Sequence, residues 1–313
     1  MQPLRRAVID VGTNSVKLLV AEVTDQSVKP LLEKSEQTRL GRGFYETHYL
    51  QPEAIAQTAG VVSAFAKLAE EAQAVSTRVI ATSAARDANN QQDLVRAIAD
   101  ACNLRVEIIS GEQEAAWAFR GVCADAELTG MKLLILDVGG GSTEFILGDA
   151  DHHSLSQSLA LGSVRLMEKF RPADPPGIND LAKSRAWLKE FFRRELTPAL
   201  ESALKDDSER KVQLVGTGGT ATILARVEKR MEGFDRDQID GTTLSRDRIL
   251  EMMLDLWSLP LAERKKIVGL PSNRADIILM GVAIYAAVME QWNFSTLRVS
   301  TRGLRFGALL DCS

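Results

Sequence analysis

The sequence runs to 313 residues, 45% hydrophobic and 26% charged, with a formal net charge of -4. That length predicts about two domains of ~100–200 residues each, and the composition is that of a globular chain able to bury a core. A slightly acidic balance excludes a coat of basic residues for wholesale binding of nucleic acid polymers, though it leaves room for a local basic groove.

Cys102, Cys123 and Cys312 lie far apart and form no CxxC pair. They read as reduced thiols of a cytoplasmic protein, not as a disulfide frame or zinc site. MQPLRRAVIDVG moves straight into a strand pattern, so no secretory leader is expected. The longest apolar run, Ile277–Met289, is well short of the ~20 residues a bilayer requires and fits a buried helix, so no membrane partner is expected.

In chain order, AVID, the turn GTNS and VKLLVAEV predict a β-hairpin within the first 23 residues, with a third short strand near 29–35. Helical spacing follows at 52–74, then a strand at 77–81, a helix at 91–102, a strand at 105–109 and a helix at 112–122. From Met131 the programme restarts: strand KLLILDV, turn GGGST, returning strand EFILGD. Helices are expected at 164–170 and 178–204, with a loop at 171–177. The strand KVQLV, the segment GTGGT and the helix ATILARVEKRM come next. Helices at 245–257 and 273–291 and a strand at 295–300 complete the pattern. Alternating strands and helices predict an α/β fold. Two halves opening on one hairpin predict a duplication, with domains 1–124 and 125–313 and the last residues crossing back to the first domain.

IDVGTNS and LDVGGGS carry the chemistry. Glycine lets the main chain approach a ligand, and successive amides in such a turn suit phosphate oxygens. The candidate phosphate contacts are Gly12, Thr13, Asn14 and Ser15 in the first turn and Gly139, Gly140, Gly141, Ser142 and Thr143 in the second. A carboxylate there would repel phosphate directly, so its sensible role is to hold Mg²⁺ between itself and the ligand. The bland alternative is a pair of tight hairpin turns. Gly216, Thr217, Gly218, Gly219 and Thr220 follow a strand and open a helix, where an anion is favoured, although packing alone also explains glycine there.

In SGEQEA, Ser110 and Gln113 form a capping-box pattern, so Glu112 and Glu114 fall in a first helical turn. Glu114 reads as complementing the helix dipole. Glu112, directly after a strand, has the position to orient and deprotonate water. Arg86 in ATSAARDA and Arg39 in TRLGRG offer guanidinium forks for phosphate, with surface arginine the commoner fate of either. His48, His152 and His153 have no ligand spacing and read as structural or solvated.

IDVGTNSVKLLVAEV, TRLGRGF, ATSAARDANN, SGEQEA, LDVGGGSTEF, LALGSVRL, GTGGTATILA and RADIILMGVAI together resemble the exopolyphosphatase and guanosine pentaphosphate phosphohydrolase family, in order over nearly the whole chain. The resemblance implies an actin-like ATPase fold, two ribonuclease-H-like domains with an interdomain cleft. It implies Mg²⁺-dependent release of terminal phosphate from inorganic polyphosphate or guanosine pentaphosphate (pppGpp), by a homodimer. It makes Glu112 the catalytic carboxylate, Asp137, Glu144 and more weakly Asp10 the metal-site residues, and Arg86 the group that stabilises charge on the transferred phosphoryl. The chain stops at Ser313, without the helical hydrolase-like region of longer members, which implies a short, two-domain type and a preference for short polyphosphate. Phe306 in GLRFGAL stands where the family usually has an acid. Two other classes stay open: an actin-like ATPase or phosphotransferase, and a sensor that binds polyphosphate or alarmone without hydrolysing it.

Overall fold

The computed structural model describes residues 3–24, 27–149, 153–205 and 211–311. His152 and Cys312 lie outside the described residues. The chain divides into two compact units, Met1–Asp125 with Arg302–Ser313, and Ala126–Thr301.

The first unit starts with β1 (Leu4–Val11), β2 (Ser15–Val23) and β3 (Val28–Gln37), followed by α1 (Phe44–Thr47) and α2 (Pro52–Glu71). Then come β4 (Ser76–Ala81), α3 (Ser83–Asp87), α4 (Gln91–Cys102), β5 (Val106–Ile108) and α5 (Gly111–Cys123). The sheet order is β3-β2-β1-β4-β5. The first three strands are antiparallel neighbours, and β4 and β5 run parallel to β1. This is the ribonuclease-H-like order. Alternation along β1 explains its two-sided burial. Ala7, Ile9 and Val11 pack with Val62 and Phe65 of α2 and Leu94 and Ile98 of α4. Val8 faces the other way, into a cluster with Trp117 of α5. Asp10 falls on that second face, at the strand's end.

The second unit contains β6 (Lys132–Val138), β7 (Thr143–Gly148), β8 (His153–Leu159), α6 (Ser163–Phe170), α7 (Ile178–Glu195) and α8 (Thr197–Lys205). It continues with β9 (Val212–Thr217), α9 (Gly218–Glu228), α10 (Arg236–Ile239), β10 (Thr243–Ser245) and α11 (Arg246–Ser258). It ends with α12 (Leu261–Arg264), α13 (Ile278–Gln291) and β11 (Thr296–Val299). Its sheet has the order β10-β11-β9-β6-β7-β8, and β9 and β11 run parallel with β6. The segment β6–β7–β8 repeats the antiparallel meander of the first unit. Helix α13 is buried almost all round, at Ile278–Ala286 and again at Val288–Met289, as its unbroken apolar sequence requires.

Three expected helices have other limits. The span 178–204 is two helices, because Pro198 provides no amide for a continuing ladder and instead occupies the first turn of α8. Helix α9 begins at Gly218 and ends at Glu228, short of 231, where Arg230 turns left-handed (φ 53°) and the Met231 amide caps the Arg226 carbonyl at 2.9 Å. The span 273–291 opens with a 3₁₀ turn at Ser272–Arg274, and α13 starts only at Ile278.

The C-terminal segment adds α14 (Leu304–Leu310) to the first unit, packed on α5. Two glycines allow this contact. A Cβ on Gly121 would overlap the Gly303 carbonyl, and one on Gly307 would overlap the Trp117 carbonyl. Trp117 also donates its indole N–H to Asp311 at 2.9 Å. Phe306 is 2% exposed within this apolar cluster, so its side chain acts as core. Gly307→Ala should destabilise the first unit by about 1–3 kcal/mol, since backbone cannot yield as a side chain does. Thermal unfolding measures this, and an unchanged midpoint would disprove the contact.

Candidate active site

In the first unit β1, β4 and β5 are parallel, and the turn after β1, helix α3 and the start of α5 all follow their C-terminal ends. Open α/β sheets place ligands at that edge. The first turn closes through the Gly12 amide on the Ser15 carbonyl at 3.0 Å. Its carbonyls are tied inward: Val11 accepts from the Thr82 amide (3.2 Å), Thr13 from Gly41 (2.7 Å) and Asn14 from Arg39 (3.0 Å). The amides of Thr13 and Asn14 donate to no backbone carbonyl among the described residues, which is the arrangement an anion needs. Asn14 accepts from Gln37 Nε2 at 3.2 Å, while its own Nδ2 is buried without an acceptor. Arg39 adopts a left-handed conformation, φ 50°, in the loop that backs this turn.

The second turn repeats the first. Gly139 donates to Ser142 O at 3.0 Å, and the Gly140 carbonyl accepts from the amides of Val164 (2.8 Å) and Arg165 (3.1 Å). Arg165 Nε holds the Gly141 carbonyl at 2.8 Å, and Thr143 Oγ1 donates to Leu161 O at 2.5 Å. Here too the Gly140 and Gly141 amides have no backbone acceptor among the described residues. Each turn is braced by a buried Leu-Gly pair, Leu40-Gly41 and Leu161-Gly162. A Cβ on Gly41 would overlap the Thr13 side chain, and one on Gly162 the Gly140 carbonyl. This second repeat escapes a reading centred on Asp-x-Gly-x-x-Ser, although the Leu-Gly dipeptide recurs after the third strand of both halves.

The acidic residues differ between the turns. Asp137 and Glu144 are direct cross-strand partners of β6 and β7, two carboxylates on one face, and Glu144 accepts from Ser158 Oγ at 2.8 Å. Like charges directly opposite repel each other unless a cation intervenes. In the first hairpin Asp10 instead faces Lys17. Burial pushes the Asp10 carboxyl above its ordinary range, against the pull of Lys17 and Arg305, and its Oδ1 is buried with no partner. Its charged form is therefore less favoured in the folded chain than in the unfolded one, so folding stability falls as pH rises through the raised value. Asp10→Asn should flatten that decline and exceed the parent in melting temperature at neutral pH without divalent cation. Melting curves at several pH values test this, and a variant that tracks the parent across them would contradict it.

A divalent cation fits these donors. Gly218, at φ +80°, leaves the space occupied by Asp137 Oδ1, which any Cβ there would fill. Tyr285 lies close by. Burial, and then the Asp137 charge, hold its hydroxyl well above the usual phenol range, so it is a neutral donor to the Leu136 or Thr217 carbonyl at 3.3 Å. Among the described residues no three His, Cys, Asp or Glu form a metal cluster. Mg²⁺ would thus be held by one or two carboxylates and completed by water and phosphate oxygens, as is usual for that ion.

The GTGGT segment divides in two. Gly216 and Thr217 are buried strand residues, and a Cβ on Gly216 would meet the Tyr285 ring. Thr220 is turned back, its Oγ1 on the Val138 carbonyl at 3.2 Å, where it steadies the second turn. Only Gly218 and Gly219 of this segment are half-exposed, at the start of α9, and so open to a ligand. Ser300 and Thr301 follow β11 at the same sheet edge. The Ser300 amide holds the Gly216 carbonyl at 2.8 Å, and the Thr301 carbonyl accepts from Arg236 at 2.9 Å.

Ser110 caps α5, accepting from the Gln113 amide at 3.1 Å. Glu112 is exposed in that first turn, whereas Glu114 is 7% exposed. Residues two positions apart on a helix are rotated by about 200°, so the pair cannot share a face. Glu114 is more than a dipole complement. Its Oε2 takes Arg86 Nη1 at 3.0 Å, and the same nitrogen donates to the Ile109 carbonyl at 3.1 Å. Among the histidines, His48 caps α1 and packs edge-on to Phe44, and His153 is exposed at the start of β8. Cys102 and Cys123 are free thiols.

Residues 19–313 match the model of the Ppx/GppA phosphatase family. The chain is similar to exopolyphosphatase 2 of Mycobacterium tuberculosis, 32% identical over 289 residues covering 90% of this chain and 88% of that one. It is also similar to a bifunctional 3-dehydroquinate synthase/phosphatase of Fusobacterium nucleatum, at 29% identity over 98% of this chain, and spans 46% of that longer protein. The crystal structure of an exopolyphosphatase from Cytophaga hutchinsonii superposes with a TM-score of 0.87 at 29% identity, covering 98% of both chains. With its duplicated glycine turns and this match over most of its length, the chain belongs to the Ppx/GppA phosphatase family.

Proposed function

We propose that the chain is an exopolyphosphatase that hydrolyses the terminal phosphoanhydride of inorganic polyphosphate with a divalent cation, Mg²⁺. The observation that carries this reading is the matched pair of turns, each with carbonyls tied inward, amides left for an anion and a carboxylate on the adjoining strand. Phosphoryl transfer asks a protein mainly to position water and neutralise oxygen charge, and these groups are suited to that work.

Mg²⁺ held by Asp137 and Glu144 would supply positive charge to the phosphate oxygens. Within each unit the free amides of its own turn, Thr13 and Asn14 in the first and Gly140 and Gly141 in the second, are suited to non-bridging phosphate oxygens. Glu112 orients a water and takes its proton as the water oxygen bonds to the terminal phosphorus. The bond from that phosphorus to the bridging oxygen breaks, and the shortened chain leaves with the electron pair. Arg86 neutralises charge on the transferred group. A cytoplasmic homodimer belongs to the same reading.

Purified protein incubated with Mg²⁺ and long polyphosphate, tripolyphosphate, pppGpp or ATP, in parallel, tests it by release of orthophosphate. Polyphosphate should be the fastest substrate. Faster release from pppGpp would make the nucleotide the substrate, and turnover of ATP alone would place the chain with actin-like ATPases. Binding of polyphosphate with no release would leave a sensor.

A further inference from the structure

Helix α6 holds the second turn from one side. The Ser163 amide takes the Gly139 carbonyl at 3.0 Å, and the amides of Val164 and Arg165 take that of Gly140 at 2.8 and 3.1 Å. These amides belong to the first turn of the helix, where no intrahelical partner exists. The carbonyl of Gly141 is then left, and the Arg165 side chain takes it through Nε at 2.8 Å. In a trans peptide the N–H points opposite to the C=O. Three consecutive carbonyls tied to α6 therefore turn the amides of Gly140, Gly141 and Ser142 away from that helix as a row of donors. None of the three donates to a backbone carbonyl among the described residues.

The first turn is held differently. Its Thr13 and Asn14 carbonyls are both taken by backbone amides, those of Gly41 and Arg39. Every residue except proline supplies such an amide, so those bonds do not depend on a side chain. In the second turn the bond that matches Asn14, the one to Gly141, does depend on a side chain. The peptide it holds joins a glycine to Ser142, and the wide φ range of glycine makes that peptide easy to rotate. Once rotated, it would present a carbonyl oxygen where the Ser142 amide had been, and repel an anion.

We propose that Arg165 is a positioning residue for the phosphate chain: its Nε fixes the Gly141–Ser142 peptide so that the Ser142 amide completes the row of donors. This rests on the reading that the second turn binds phosphate. A hydrogen bond to an ionised oxygen is worth about 10- to 100-fold in binding, and it is made before as well as during the reaction, so its loss acts on KM more than on kcat.

The test is steady-state hydrolysis of tripolyphosphate by the full chain with Mg²⁺. The amide nitrogen of glutamine is as many bonds from Cα as Nε is in arginine, so Arg165→Gln retains a donor there without the charge. Arg165→Met has the same reach and no donor. Arg165→Lys retains the charge but carries its donor one bond further out. Arg165→Met should raise KM by about 10- to 100-fold with kcat little changed. Arg165→Gln should stay near the parental KM, and Arg165→Lys should fall between the two. Melting curves report the folding of each, and if Arg165→Met does not fold, the order of the Gln and Lys variants decides. A parental KM in Arg165→Met, Arg165→Gln as impaired as Arg165→Met, or Arg165→Lys closer to the parent than Arg165→Gln would overturn the proposal. A parent that neither hydrolyses tripolyphosphate nor melts higher in its presence would sink the phosphate reading of the turn, and the role of Arg165 with it.

Discussion

Glu112→Gln should sharply slow release of orthophosphate while the variant still binds polyphosphate. Glutamine keeps the size and the hydrogen-bonding reach of the side chain but cannot take a proton. A positioned general base contributes about 10²- to 10⁴-fold, so that is the expected loss in kcat, with KM close to the parent. Folding should be unaffected, because Glu112 is exposed and the cap of α5 is made by Ser110, not by Glu112. Steady-state assays with tripolyphosphate, beside melting curves, measure both. A variant that turns over at the parental rate would remove Glu112 from the chemistry.

Neutralising one carboxylate of the second hairpin has effects of opposite sign on stability and activity. Asp137 and Glu144 oppose each other across β6 and β7, so without a cation they destabilise the hairpin. Asp137→Asn should therefore melt no lower than the parent in chelator, and higher if the repulsion dominates. Mg²⁺ should stabilise the parent by mass action and the variant far less, since the ligand binds only the native pair. Activity runs the other way: the variant should need much more Mg²⁺ and be at least about tenfold slower, because a carboxylate ligand of the cation is gone. For the parent, chelation should abolish phosphate release and added Mg²⁺ restore it. Full activity in chelator, or an equal Mg²⁺ response from both proteins, would contradict this assignment of the metal site.

The parts of the fold that repeat were the parts legible in the sequence. Both hairpins, the strands at their sides and the start of α5 follow local rules: alternating burial, turn residues and a cap. Family membership was equally legible, because the motifs occur in order along most of the chain. What escaped depends on contacts distant in sequence. Nothing local marks Glu114 as the partner of Arg86, 28 residues away, because that contact exists only once α3 and α5 meet. Thr220 belongs to a glycine-rich segment yet bonds Val138, 82 residues away, and so steadies a turn. Helix α14 was invisible for the same reason, since its packing on α5 relies on Gly121 and Gly307 approaching backbone. Lys17, directly opposite Asp10, occupies the place that Glu144 has in the second hairpin. That one exchange makes the two duplicated turns electrostatically unlike, since the second alone sets two carboxylates opposite each other.

Hydrolysis of tripolyphosphate in ¹⁸O-labelled water, with Mg²⁺, follows the bond that forms. If water primed by Glu112 attacks the terminal phosphorus, each first-released orthophosphate contains one labelled oxygen, the remaining pyrophosphate contains none, and Glu112→Gln yields neither. Label in the pyrophosphate, or phosphate passed unlabelled to another acceptor, would mean that the terminal phosphoryl group is not transferred to water.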